Sequence, residues 1–166
     1  MIRSLIFMFY KFLQQEKKAR FNRYLPFNEL LIDRNKKAKL LNLGKGTTIH
    51  DSSHVYGDIT VGENTWIGPF TIIDGSGGLN IGSNCSISSG VQIYSHDTVK
   101  WAISGGKHPY EYKSVVIEDN CYIGPNSIIQ SGVIIKSNTI VGANSFVNKS
   151  FPSGSKIAGN PAKIIK

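Results

Sequence analysis

A chain of 166 residues, 40% hydrophobic and 18% charged, is long enough for one domain with a substantial core. Its two cysteines, Cys85 and Cys121, imply no disulfide framework and favour a reducing compartment, the cytoplasm. The net charge of +8 is unevenly placed: residues 1–45 hold eleven Lys or Arg against Glu16, Glu29 and Asp33, whereas residues 46–166 hold eight of each sign.

The basic excess therefore belongs to an N-terminal arm, expected to span residues 1–42. Ile2, Leu5, Ile6, Phe9, Phe12 and Leu13 recur there at helical spacing, with basic residues gathering after Tyr10. The apolar run Leu5 to Tyr10 is too short to cross a bilayer, and no small-residue cleavage site of a secretion signal accompanies it. Such a helix has two uses. It packs against its own protein or a neighbouring subunit, the commoner meaning of this periodicity, or it lies on an anionic membrane surface through residues 1–20, at the inner face of the membrane. Pro26 and the stretch Asp33 to Lys39 predict a break and then a second short helix. Nucleic-acid binding lacks support, because aromatics do not interleave with basic residues outside the arm.

Several motifs in the next stretch carry no function. Asn42 to Thr48 (NLGKGTT) lacks the spacing of a phosphate loop. His50 and His54 are four apart, but on no helix and with no glutamate where a zincin requires it, so both are expected at the surface, at corners. Gly75, Gly77 and Gly78 suit a turn insertion.

From here the chain counts in sixes. Branched aliphatics stand at Val61, Ile67 and Ile73, then at Ile81, Ile87 and Ile93, and then without a break at Ile117, Ile123, Ile129, Ile135, Val141 and Val147. Two extra residues separate Ile73 from Ile81. Four residues after each aliphatic position comes a second slot, filled in the last run by Cys121, Ser127, Val133, Thr139, Ser145 and Phe151. A fixed short period of this kind predicts a parallel β-solenoid over residues 43–158. Three six-residue sides close a triangular coil, so residues eighteen apart stack: Ile117 with Ile135, Ile123 with Val141, Ile129 with Val147. The second slot faces inward near a corner and takes small residues, Cys85 and Cys121 among them. Phe151 does not fit it, and Pro152 follows, so the regular stack is expected to end there. The last residue of each hexad faces outward, yet Trp66, Ile72, Tyr122, Ile128, Ile134, Ile140 and Phe146 are apolar, which predicts a partner surface. Residues 97–114 interrupt the count as one projecting loop, and 159–166 form a tail.

The repeat resembles the hexapeptide-repeat acyltransferases, whose fold is a left-handed parallel β-helix. The resemblance runs from roughly Thr47 to the C-terminus, and two stretches narrow it: Gly90 to Gly106 (GVQIYSHDTVKWAISGG) and Lys156 to Lys166 (KIAGNPAKIIK). Both look like the galactoside, maltose and xenobiotic acetyltransferase branch, and more closely like small O-acetyltransferases of bacterial surface-polysaccharide clusters. The resemblance implies acetyl-coenzyme A as acetyl donor, no metal, a sugar or polysaccharide-precursor acceptor, and a homotrimer with active sites between subunits.

Acetyl transfer to a hydroxyl needs a base, and imidazole suits the task because it titrates near neutrality and contributes about 10²–10⁴-fold. His96 ends a hexad and opens the loop, and the family's catalytic histidine matches it. By position alone a loop histidine bonded to its own backbone is as good a reading. Asp97 could hold the imidazole tautomer, although neighbouring residues of an extended chain point opposite ways, and a backbone carbonyl serves equally. Trp101, Tyr110 and Tyr112 could line a sugar site or pack the loop on a neighbouring subunit, and His108 is a second candidate base. For the donor, the resemblance implies Gly124, Gly142 and Ala143 along the pantetheine arm, and Lys163, Lys166 and Lys149 at the phosphates. Pro125 stands where relatives often offer a backbone N–H to the thioester oxygen and has none. Tyr122 replaces a frequent Trp at the acceptor pocket. The alternatives are N-acetylation of a nucleotide-linked amino sugar and a non-catalytic trimeric scaffold. A carbonic anhydrase of the same fold would need a histidine pair absent after His96.

Overall fold

A computed structural model describes residues 2–166. Three helices come first: α1 (Ile2–Phe21), α2 (Phe27–Leu31) and α3 (Arg34–Leu40). The break around Pro26 and the later helix are as expected, whereas the single turn of α2 has too short a period to be seen in the sequence. Asp33 caps α3, its carboxylate accepting from the Asn35 N–H at 2.9 Å. α3 closes the open end of the solenoid. Its Ala38 is buried in the main core, and Lys37 Nζ donates to the carbonyls of His50, Asp51 and Ser53 at 3.1, 2.8 and 2.9 Å.

The rest is a triangular parallel β-solenoid of about six coils. Its first face stacks Thr48–Ile49, Trp66–Ile67, Ser86–Ile87, Tyr122–Ile123, Ile140–Val141 and Lys156–Ala158. The second face stacks residues 54–55, 72–73, Gln92–Ile93, Ile128–Ile129 and Phe146–Val147. The third stacks residues 59–61, 79–81, Val115–Ile117 and Ile134–Ile135, and ends on a bridge from Ile135 to Phe151. All three predicted stacking pairs are in register. Ile49, Ile67, Ile73, Ile87, Ile93, Ile123, Ile129, Val141, Val147 and Ile157 are completely buried. Each contributes roughly 1.5–3 kcal/mol of apolar burial.

The second slot has a chemical reason besides its size. Thr47 Oγ1 donates to Gly62 O at 2.6 Å, Thr65 Oγ1 to Gly82 O at 2.8 Å, Cys85 Sγ to Glu118 O at 3.1 Å and Cys121 Sγ to Lys136 O at 3.2 Å. These inward hydroxyls and thiols satisfy corner carbonyls of the next coil that would otherwise be buried unpaired.

A third position, three residues after the aliphatic one, turns most corners with a positive φ, and at Phe70 (φ 59°) even an aromatic residue holds it. Asn64, Asn84, Asn120, Asn126, Asn138 and Asn144 all have φ between 54° and 61°, and Gly46, Gly90, Gly132 and Gly154 occupy equivalent places with positive φ. Asparagine and glycine tolerate this left-handed conformation, which other side chains resist by roughly 1–2 kcal/mol.

The stack does not end at Pro152. Regular spacing ends there, but Phe151 is taken into the core at 9% exposure and Lys156–Ala158 pairs with Ile140–Val141, sixteen residues apart rather than eighteen. The last coil is two residues short, and one large ring fills its narrower interior. Lys163–Ile164 then folds back antiparallel on Lys156–Ala158. The apolar outward residues divide among faces: Trp66, Tyr122 and Ile140 lie on the first, Ile72, Ile128 and Phe146 on the second, and Ile134 on the third.

Candidate active site

The loop leaves the solenoid at the corner between the second and third faces. His96 is three residues past Ile93, the place where most other corners carry Asn or Gly. The loop opens with His96–Asp97, which pairs antiparallel with Glu111–Tyr112, and between them runs a short helix, α4 (Val99–Ile103).

The His96 ring is 34% exposed, and its Nδ1 lies 2.6 Å from Asp74 Oδ2. Asp74 is 1% exposed and is held from every side. Its Oδ1 accepts from the Ser76 N–H at 3.0 Å and the Ser76 hydroxyl at 2.5 Å, and its Oδ2 accepts from the Ser95 N–H at 2.9 Å. Burial alone would raise its pKa. The bonds from Ser76, from His96 and from the Ser95 N–H outweigh that and hold the carboxyl well below the usual carboxylate range. An ionised carboxylate only accepts, so Nδ1 of the neutral ring carries the proton and the Nε2 lone pair is left for another group.

This overturns the part expected of Asp97. Its carboxylate turns away and accepts from the Val99 N–H at 2.6 Å, steadying the start of α4, while Asp74, twenty-two residues upstream, orients the imidazole. The sequence did contain a signal. The two inserted residues lie in the turn Asp74-Gly-Ser-Gly-Gly, and that turn wraps its own first carboxylate. The register between the continuous strands His54–Val61 and Ile72–Ile81 shifts there, between Gly57 and Ile59. Gly77 belongs to the same device: a Cβ there would lie 2.2 Å from the Ser95 carbonyl oxygen.

Beyond His96 the loop forms an open hollow of about 570 Å³ lined by Trp101, Lys107, His108, Tyr110 and Tyr112. Trp101 meets Tyr110 edge-on at 5.4 Å, and the Tyr112 ring is 6.2 Å from that of His96. Lys100 pairs with Glu111 across the loop base. The His108 N–H is held by the Ser104 hydroxyl at 3.0 Å. Among the described residues the histidine–carboxylate pairs are His96–Asp74 and His50–Glu29, so His108 has no such partner.

The remaining predicted residues do not gather round His96 within one chain. Gly124, Gly142 and Ala143 stand together at a different corner, between the first and second faces. Their small size is already demanded by coil stacking: a Cβ on Gly124 would lie 2.6 Å from Ala143 N, and one on Gly142 would lie 2.9 Å from the Ala158 Cβ. Lys149 follows the second face of the last full coil, along the His96 edge, with Nζ over the Phe151 ring at 5.5 Å. Lys163 lies on the returning strand and Lys166 at the exposed C-terminus. Tyr122, 42% exposed, is on the first face between Ser86 and Ile140. The Pro125 carbonyl accepts from the Asn144 N–H at 2.9 Å.

His50 is not a simple surface residue. It is half-buried, and its Nδ1 is 3.1 Å from Glu29 Oε2 on α2. Glu29 also accepts from the Ser52 N–H at 3.0 Å and hydroxyl at 2.7 Å, which fastens the arm to the first coil. His54 is exposed and stacks on Tyr56.

Two family profiles match the solenoid: "Bacterial transferase hexapeptide (six repeats)" over residues 114–149 and "Hexapeptide repeat of succinyl-transferase" over residues 58–95. The chain is 49% identical over 90 residues to Protein CapG of Staphylococcus aureus, covering 53% of this chain and 52% of that protein. It is 37% identical over 138 residues to a polysialic acid O-acetyltransferase of Escherichia coli O1:K1, covering 71% and 42%. It spans about half the length of the curated relatives it matches first. Among solved structures it resembles AntD, an N-acyltransferase from Bacillus cereus in complex with dTDP and 3-hydroxybutyryl-CoA, with a TM-score of 0.69 and 26% identity over 75% of this chain and 70% of that one. The six-residue count, the stacked coils and these likenesses agree on one conclusion: the chain belongs to the hexapeptide-repeat transferases, and its solenoid is their left-handed parallel β-helix.

Proposed function

We propose that this protein is an acetyl-coenzyme A-dependent O-acetyltransferase acting on a sugar hydroxyl of a surface polysaccharide or its precursor. The observation that carries the proposal is the His96–Asp74 pair, 2.6 Å apart, at the edge of an aromatic hollow. Asp74 keeps the proton on Nδ1, so Nε2 takes the acceptor hydroxyl proton as the new bond forms, and the carboxylate stabilises the imidazolium that results. Bound acetyl-coenzyme A would supply the acetyl group as a thioester open to direct attack, with no acyl-enzyme; as the ester C–O bond forms the C–S bond breaks, and the His96 imidazolium gives its proton to the departing thiolate. Trp101, Tyr110 and Tyr112 offer ring faces to a sugar, with Asp97, His108 and Tyr122 as further acceptor contacts. The exposed ammonium groups of Lys149, Lys163 and Lys166 suit phosphates, and Gly124, Gly142 and Ala143 leave a corner without projecting side chains.

We further propose a homotrimer, since His96 and that small-residue corner lie on different edges of one chain and packing three solenoids brings unlike edges together. The exposed Tyr122 and Ile140 on the first face support this. The reaction would run in the cytoplasm, where acetyl-coenzyme A is made.

The likeness to AntD favours a second reading, N-acylation of a nucleotide-linked amino sugar. The dyad supports the first reading: a free amine is already nucleophilic, whereas a hydroxyl must lose a proton. Thiol release from acetyl-coenzyme A across sugars, polysaccharide fragments and nucleotide-linked amino sugars tests both, with His96→Ala alongside. Turnover on a hydroxyl acceptor that falls at least about a hundredfold in the variant supports the proposal. Turnover confined to amino sugars replaces it, and turnover surviving in His96→Ala refutes the base. Absence of both turnover and coenzyme A binding leaves a trimeric scaffold.

A further inference from the structure

The proposed chemistry uses none of α1, yet the first three turns of that helix are apolar and uncovered. Ile2, Leu5, Met8, Phe9 and Phe12 are 76%, 69%, 68%, 48% and 63% exposed. At about 100° per residue they share one face roughly 120° wide. It looks away from the side on which α1 is packed. There the Gln14 amide donates to Leu25 O at 2.6 Å, Tyr10 meets Phe27 edge-on and Lys17 pairs with Asp33 at 3.7 Å. The arm is thus anchored through its second half, while α2 and α3 are fastened to the first coil by Glu29 and Lys37. Packing accounts for the rear of α1 and leaves its front half unpartnered.

Charge decides what can cover that face. From Arg3 to Arg23 the arm carries Arg3, Lys11, Lys17, Lys18, Arg20 and Arg23 against Glu16 alone, a net +5. A second copy of this helix would bring the same charge against it, whereas an anionic surface is complementary. Length decides how such a surface is met. Only residues 2–13 are predominantly apolar, which is about 18 Å of helix, and no helix of the described residues is long and apolar enough to cross a membrane. We infer that α1 docks the protein on an anionic lipid bilayer. It lies in the interface plane, with Ile2, Leu5, Met8, Phe9 and Phe12 in the headgroup–acyl boundary and the basic residues among the lipid phosphates. This inference stands independently of the acetyl-transfer proposal.

The test is cosedimentation of the full-length protein with vesicles of phosphatidylcholine alone or with about 30% phosphatidylglycerol, at low and high salt. Each basic residue near an anionic surface strengthens partitioning roughly fivefold, so four engaged residues predict a preference of at least about a hundredfold for the anionic vesicles. Raising salt to about 0.5 M should abolish most of it. Phe9→Ser with Phe12→Ser should weaken binding at least about tenfold, leaving oligomeric mass and thermal unfolding unchanged. Lys11→Glu with Lys18→Glu keeps the apolar face and should lose the anionic preference. Absent binding, or equal binding to neutral and anionic vesicles, overturns the inference. So does a change of oligomeric mass in the phenylalanine variant, which would give the face to a second copy of the chain.

Discussion

Asp74→Asn is the most informative substitution, because it changes one atom and tests whether the carboxylate acts through His96. Asp74 Oδ2 faces three donors, the Ser95 N–H, the Ser95 hydroxyl and His96 Nδ1, and Oδ1 faces two from Ser76. Ser95 is completely buried, whereas Ser76 is exposed and can turn to water. The asparagine amide should therefore keep its oxygen toward Ser95 and His96, preserving the tautomer, and leave the Ser76 N–H to solvent. What is lost is the charge. A hydrogen bond to an ionised partner contributes roughly 1.5–3 kcal/mol and a neutral one about 0.5–1.5, so the imidazolium formed in the reaction loses about 1–2 kcal/mol. At 1.4 kcal/mol per tenfold, kcat should fall about 5–30-fold with the donor KM within about twofold. The assay is initial-rate thiol release for the wild type, Asp74→Asn, His96→Ala and the double variant. If Asp74 works only by positioning and charging His96, the double variant is no slower than His96→Ala. An Asp74→Asn enzyme within twofold of wild type, or one that slows His96→Ala further, would refute the reasoning.

The same carboxylate makes stability depend on pH. Its folded pKa is depressed, so its stabilisation is fully present above the ordinary carboxylate range and is lost as pH falls below about 4. The gap in melting temperature between wild type and Asp74→Asn should shrink as pH falls below about 4. At an exposed corner, Asn138 has φ 61°, so Asn138→Ala should cost about 1–2 kcal/mol by denaturant unfolding while Asn138→Gly costs little. Gly124→Ala would drive a Cβ to within 2.6 Å of backbone and should destabilise by about 1–3 kcal/mol, read in the same assay. Glu29→Gln breaks the tie between α2 and the first coil, where Ser52 and His50 converge. It should lower stability by about 1–3 kcal/mol and increase amide hydrogen exchange in residues 27–53.

The architecture was legible because a solenoid is nearly one-dimensional. Each inward residue touches its own kind one coil away, so the spacing of Ile117, Ile123 and Ile129 contains the contacts that matter. The Asn and Gly three residues after most aliphatic positions belong to the same code and record the left-handed corners. His96 was legible because the count breaks there. Phe151 misled, since a large residue looks foreign in a small slot until the coil is seen to be two residues short.

The amino-acid sequence by itself determined the coil, its register and the corner from which the histidine emerges, all consequences of a local period repeated until the core closes. Only the tertiary structure decided what stands beside that histidine. Asp74 reaches His96 from the preceding coil because two inserted residues turn the chain around its carboxylate, and Glu29 reaches His50 from a helix outside the repeat. A side chain that leaves the period finds its partner through the packing of neighbouring coils, and spacing along the chain marks where the period breaks without naming the partner.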